Sequence, residues 1–146
     1  MPKSTDACNR FVNLLYRATA WPNVADNAAA APLTDVVVAL HTAGLTAGTN
    51  SQAESEVAYT NYARQNVARS TGFSAASGGS TSNAALLQFP QSGATGGTLH
   101  TVSTGTTSSG ATPVWHYGPL NSPITIGAAA SITPQFLAGG LVITES

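Results

Sequence analysis

Charge is what this chain has least of. Only 8% of its 146 residues are Asp, Glu, Lys or Arg, against about a quarter in an ordinary soluble domain. Disorder does not follow, because 42% of the residues are hydrophobic and the net charge is only −1, whereas disordered chains pair low hydrophobicity with high net charge. The basic residues are Lys3, Arg10, Arg17, Arg64 and Arg69, and no charged side chain lies between Arg69 and Glu145. The second half therefore cannot form a basic groove, and nucleic acid is not an expected partner. The surface must be covered by Thr, Ser, Asn, Gln and backbone, or by neighbouring subunits. Interface cores are depleted of charge, so the deficit fits a protein that works inside an assembly.

Cysteine is nearly absent too. Cys8 stands alone, which excludes an intrachain disulfide and leaves it as a small packing residue. Asp6, Asn9, Arg10, Asn13 and Arg17 interrupt any apolar core in the first twenty residues, so a signal peptide is not expected. No apolar stretch approaches the ~18 residues of a helical membrane span, and no membrane partner is expected.

Catalytic and metal-binding patterns are missing as well. His41, His100 and His116 fall in three separate strand-like segments without an HxxxH or HxH pair, and they read as strand or rim histidines rather than zinc ligands. The acids are Asp6, Asp26, Asp35, Glu54, Glu56 and Glu145, and no G-x-S-x-G elbow accompanies them. Glu54 and Glu56 flank Ser55 at the end of a loop and read as solvated rather than as an acid/base pair. Gly93-Ala94-Thr95-Gly96-Gly97 lacks the Lys-Ser/Thr ending of a phosphate loop. No catalytic residue, cofactor or metal is expected.

What is present is one helical pattern followed by period-two text. Ala7, Phe11, Leu14, Leu15 and Ala18 recur at helical spacing. Thr5 or Asp6 can cap the start, and Asn9, Arg10, Asn13 and Arg17 fall mainly on the other face. Pro22 ends the pattern, and Asn23 to Pro32 is an Ala-rich connector. Val36 to His41 is then a central strand bounded by Asp35 and Gly44, followed by a polar loop from Thr42 to Ser55. Further short strands are expected at Glu56 to Tyr59, Tyr62 to Arg69, Thr71 to Ser74, Asn83 to Phe89 and Thr98 to Val102. Others are expected at Pro113 to Tyr117, Pro123 to Ile126, Ala129 to Thr133 and Leu141 to Thr144. Ser77-Gly78-Gly79-Ser80, Gly93 to Gly97 and Gly105 to Gly110 supply turns. The expected fold class is mainly β, a sandwich or jelly-roll-like domain over 33–146, preceded by a helix and connector arm over 1–32.

Large apolar side chains mark candidate partner contacts. Trp115 and Tyr117 project to one strand face, with His116 on the other. Trp and Tyr are favoured interface anchors. Trp21, just after the helix, and Phe11, Leu14 and Leu15 within it complete the set.

The order of segments resembles a family of small tailed-phage and prophage proteins, commonly labelled tail fibre or minor virion structural proteins. The resemblance is carried by Phe11-Val12-Asn13-Leu14-Leu15, Val38-Ala39-Leu40-His41-Thr42-Ala43 and Glu54-Ser55-Glu56-Val57-Ala58-Tyr59-Thr60-Asn61-Tyr62-Ala63-Arg64. It continues through Ser82-Asn83-Ala84-Ala85, Phe89-Pro90, Thr133-Pro134-Gln135-Phe136 and Val142-Ile143-Thr144-Glu145. Family members usually have Gly where this chain has Asn61. The resemblance implies a non-enzymatic virion protein made in the host bacterial cytoplasm. Its expected role is capsid decoration, a cement protein, self-associated as a homotrimer, that binds and stabilises neighbouring major capsid subunits. The alternative is a tail or tail-fibre component that binds tail proteins or contacts a host receptor.

Overall fold

A computed structural model of the chain describes residues 3–21, 32–49, 51–127 and 131–145. It is mainly β with a single N-terminal helix, as the sequence pattern predicts. The chain divides into two compact units. One comprises 1–35, 67–87 and 136–146, the other 36–66 and 88–135.

The first unit is organised around the helix α1, Thr5–Arg17. Its N-cap is Ser4, whose Oγ accepts the Ala7 N–H at 3.2 Å. Asp6 therefore lies inside the first turn, where a negative charge suits the helix dipole. Ala18 closes the helix in the left-handed region, φ 52°. The packed face is rotated from the expected one. Cys8, Val12 and Tyr16 are buried at spacings of four, while Phe11 is 38% exposed and Leu14 and Leu15 are half-buried.

The rotation has a polar cause. Asn9 Oδ1 accepts the Gly79 N–H at 2.6 Å, Asn13 Oδ1 accepts the Ala76 N–H at 3.0 Å, and Arg17 Nη1 donates to the Phe73 carbonyl at 2.8 Å. Side chains expected to meet solvent instead satisfy backbone groups that a ladder leaves unmatched. Tyr16 meets Phe73 edge-on, ring centroids 4.9 Å apart. Arg69 covers the other end of α1, donating from Nε to Leu15 O at 2.6 Å and from Nη2 to Leu14 O. Those last-turn carbonyls have no intrahelical partner, and a cation suits that end of the dipole.

The β part of this unit is a ribbon of β3, Ser80–Ser82, and β8, Val142–Thr144, paired antiparallel with Ser82 opposite Val142. Ser77 and Ser80 exchange both backbone hydrogen bonds around Gly78 and Gly79, whose φ values are 61° and 80°. Two consecutive positive φ angles are the requirement of a two-residue type I′ hairpin, hence Gly-Gly.

The second unit holds most of a four-stranded sheet with the order β2-β1-β5-β6. Its strands are β1 Asp35–His41, β2 Gln65–Ala68, β5 Gly97–Gly105 and β6 His116–Ile126. In β1, Val36 to His41 are all buried, which is why that strand reads as an unbroken apolar run. β5 lies antiparallel between β1, with Leu40 opposite Val102, and β6, with Tyr117 opposite Ser103. β6 forms an edge of the sheet. It contains Pro119 and Pro123, residues an interior strand would not accept. Between Thr101↔Pro119 and Leu99↔Ile124 it advances five residues while β5 advances two. That bulge fuses the two strands expected at 113–117 and 123–126. The remaining pair is β4, Leu87–Gln88, with β7, Gln135–Phe136.

Several expected strands are shorter or absent. Glu56 makes a single bridge to His41, after which the chain turns, with Asn61 at φ 76° and Tyr62 N–H bonded to Tyr59 O. The segment 62–69 is a strand only over β2, and 71–74 contributes one bridge, Phe73 to Asn83. Residues 131–133 form no strand, and the rest of the strand expected at 129–133 lies outside the described residues, as do residues 23–31 of the connector.

Candidate functional site

The second unit carries the densest polar arrangement. Arg64 is 6% exposed and faces Glu56 side-on, Nε to Oε1 and Nη2 to Oε2, both at 2.7 Å. Its other donors reach Thr107 O at 3.0 Å, Thr112 Oγ1 at 3.1 Å and Gly110 O at 2.8 Å. All five guanidinium N–H groups thus have partners. The hydrogen bonds to Glu56 raise the Arg64 pKa further, so it is always charged. The effect is to bind the exposed loop 107–111 to the Glu56 segment. The expectation of a solvated Glu56 is overturned.

A second network sits behind it. Gln52, fully buried, donates to Val37 O and Ser103 Oγ, both at 3.1 Å, and its Oε1 accepts Thr112 Oγ1–H at 3.0 Å. His41 lies 2.9 Å through Nδ1 from Glu54 O and 2.8 Å through Nε2 from Ser103 Oγ. It is a core histidine, not a rim one, because these two partners satisfy both ring nitrogens. Burial, the largest influence, holds its pKa below the ordinary value. Ser103 and His41 are at hydrogen-bond distance, as a nucleophile and base would be, but they are 1% and 0% exposed. A backbone carbonyl occupies the position of the orienting carboxylate. A nucleophile needs access to its substrate, and this pair has none. His100 is exposed and His116 half-buried.

Tyr62 bridges the networks: its hydroxyl donates to Glu56 Oε1 at 3.0 Å and accepts the Leu40 N–H at 3.1 Å. Burial pushes the phenol pKa far up. Tyr59 donates to Pro90 O at 2.8 Å, and burial lifts its pKa to about 12. The rings of Tyr59, Tyr62 and Phe89 pack in series, with centroids 5.3 and 6.2 Å apart. Two open clefts flank this stack. One, about 440 Å³, is lined by Glu56, Tyr59, Tyr62, Arg64 and Ser108 to Gly110. The other, about 500 Å³, is lined by Gln65, Gln88, Phe89, Pro90, Gln91 and Thr133, with no charge.

The candidate contact residues fall into both units. Phe11, Leu14, Leu15 and Trp21 belong to the first, with Lys3 Nζ 5.8 Å from the centre of the Phe11 ring. Leu14 and Leu15 also act through their carbonyls, which hold Arg69. Trp115 and Tyr117 belong to the second. Trp115 precedes β6 and is half-buried, its N–H donating to Thr104 O at 2.8 Å, while Tyr117 is largely exposed.

Composition alone did not single out a second exposed apolar set in the first unit: Leu86 at 52%, Leu137 at 66% and Val142 at 61%. Buried Asn83 joins their segments. Its Nδ2 donates to Ala85 O at 2.7 Å and Leu137 O at 2.8 Å, and its Oδ1 accepts the Leu141 N–H at 2.8 Å. Among the described residues no three His, Cys, Asp or Glu side chains gather as metal ligands would. No helix among them is long and apolar enough to cross a membrane.

Sealed polar networks, a braced loop and exposed neutral surface define a structural protein of a phage virion, once the family relationship is added. The chain belongs to the family described as podophage GP4 fiber I protein gp80, whose model matches residues 4–144. No curated protein matches the chain.

Proposed function

We propose that the chain is a non-enzymatic structural module of the phage fibre apparatus, acting by binding tail proteins and copies of itself. The observation that carries this reading is the fibre-protein family match, which spans both units. Physical support comes from the side chains themselves. The best-placed chemical groups, Arg64, Glu56, His41 and Ser103, are engaged within the unit, so exposed neutral and apolar surface is left for contacts. Self-association closes such a surface by symmetry, either as a two-fold pair or as the homotrimer expected from the sequence.

Capsid decoration is the competing location, supported by the charge deficit and by the analogy with small β-modules that cement capsids. Cryo-electron reconstruction of virions carrying a tagged copy of this chain separates the two. Density on the tail or its fibres is the expected result, and density on the shell at capsid symmetry axes would replace the fibre reading with the cement one. A hydrolase activity abolished by His41→Ala in a still-folded protein would overturn the non-enzymatic part.

A further inference from the structure

We infer that β8 is a self-pairing edge, through which two copies of this chain join about a two-fold axis. The ladder directions carry the argument. Glu145 N–H donates to Gly79 O at 2.9 Å and Asn83 N–H donates to Leu141 O at 3.2 Å. In an antiparallel ladder alternate residues face the partner strand, so Leu141, Ile143 and Glu145 address β3. The N–H and C=O groups of Val142 and Thr144 point the other way. Among the described residues β8 has no neighbour on that side in its two-stranded sheet.

Those outward groups are complementary to themselves. With a two-fold axis at Ile143, Val142 of one copy lies opposite Thr144 of the other, and each pair exchanges two backbone hydrogen bonds. No other register centred on this strand matches both residues. Charge does not oppose it: the nearest charged side chain, Glu145, falls opposite Leu141 of the second copy and is ion-paired with Lys3 in its own. Edge strands that avoid pairing usually carry Lys, Pro or an inward charge, and Val142-Ile143-Thr144 has none. Ile143 stays buried beneath the ribbon, whereas Val142 and Thr144 are exposed on its other face. A three-residue strand pair buries too little area for a lasting interface, which needs more than about 1,000 Å². Val142 is itself exposed, and Leu86 and Leu137 are exposed apolar side chains of the same unit available to extend the contact.

The proposal rests on the self-association reading above, and the experiment separates the two. Light scattering on the full chain should return a two-copy mass at micromolar concentration. Val142→Pro removes an outward N–H without touching the β3 ladder, so the monomer should keep its circular dichroism while self-association weakens by about tenfold or more. Thr144→Lys, which introduces a charge at the same edge, should do the same and stands in if the proline variant is misfolded. In a Cys8→Ser background, Val142→Cys and Thr144→Cys proteins should each stay largely uncrosslinked alone and form a mixed disulfide when combined under oxidation. A wild-type monomer at high micromolar concentration would overturn both readings. An oligomer of any size that is insensitive to both edge variants and gives no mixed disulfide would overturn this one and leave self-association standing.

Discussion

Arg64 meets Glu56 side-on, with two hydrogen bonds of 2.7 Å, and its remaining N–H groups hold Thr107, Gly110 and Thr112. A buried ion pair of this kind contributes little relative to a well-packed apolar pair, but removing one partner strands the other. Arg64→Ala should therefore destabilise the fold by about 3–5 kcal/mol, measured by denaturant unfolding. Arg64→Lys should rescue little of this, since an ammonium cannot reproduce the planar fork. Limited proteolysis should find new cleavage within 107–111 in both variants, and an unchanged pattern would show that the loop is held by other means.

Gly105 is the site of a close approach. A Cβ there would stand 2.3 Å from Gln52 Oε1 and 2.6 Å from the Pro113 carbonyl. The carbonyl is backbone and the amide is held by Thr112, so neither can easily give. Gly105→Ala should cost about 1–3 kcal/mol, the usual range for overpacking. A neutral result would mean that the Gln52 network is looser than its distances imply.

The buried Asn83 amide engages the backbone at Ala85, Leu137 and Leu141 at once. Asn83→Ala leaves the Leu141 N–H without its partner, an unsatisfied group costing about 1–3 kcal/mol, while the Leu137 carbonyl keeps the Gly140 N–H. Hydrogen exchange should show early loss of protection at Leu141, with α1 less affected. Uniform loss across the first unit would show that its parts unfold together.

His41 predicts a pH dependence of definite sign. Its folded pKa lies below the ordinary 6.5 because burial disfavours the charged ring. Between the folded value and 6.5 the unfolded chain binds more protons, so stability rises with pH across that window. The contribution is complete above about pH 6.5 and is lost as the pH falls from there toward the folded value. Melting temperature should drop between pH 7.5 and pH 5.5 at constant ionic strength, and drop less in His41→Gln. Equal slopes for the two proteins would contradict the assignment.

These tests bear on features of unequal visibility in the sequence. β1 was legible because a strand buried on both faces reads as a near-continuous apolar run, here Val36 to Leu40, and α1 because its apolar residues recur at helical spacing. The inner face of α1 was not, since Asn9, Asn13 and Arg17 bind backbone from residues some 60 positions away. Such side chains look like solvent-facing ones until the hairpin is in place. The rim alternative for His41 and the solvated reading of Glu56 fail for the same reason: their partners Ser103 and Arg64 are distant in sequence, and charge or polarity alone suggests water. The strand β3 hid beneath Ser80 to Ser82, which reads as turn chemistry beside Gly78-Gly79. Leu86, Leu137 and Val142 are ordinary hydrophobic letters, and only the fold leaves them outside.

The prolines of β6 acquire a different meaning in a crowded assembly. A chain this poor in lysine cannot guard its sheet edges with charge, so it depends on residues that lack an N–H. Pro119 and Pro123, with the bulge between β5 and β6, make an eleven-residue edge a poor template for a foreign strand. When many copies are concentrated on one particle, or on one ribosome track during infection, that edge stays inert. Protection of this edge rests on imino acids rather than on repulsion, so it should be nearly independent of salt.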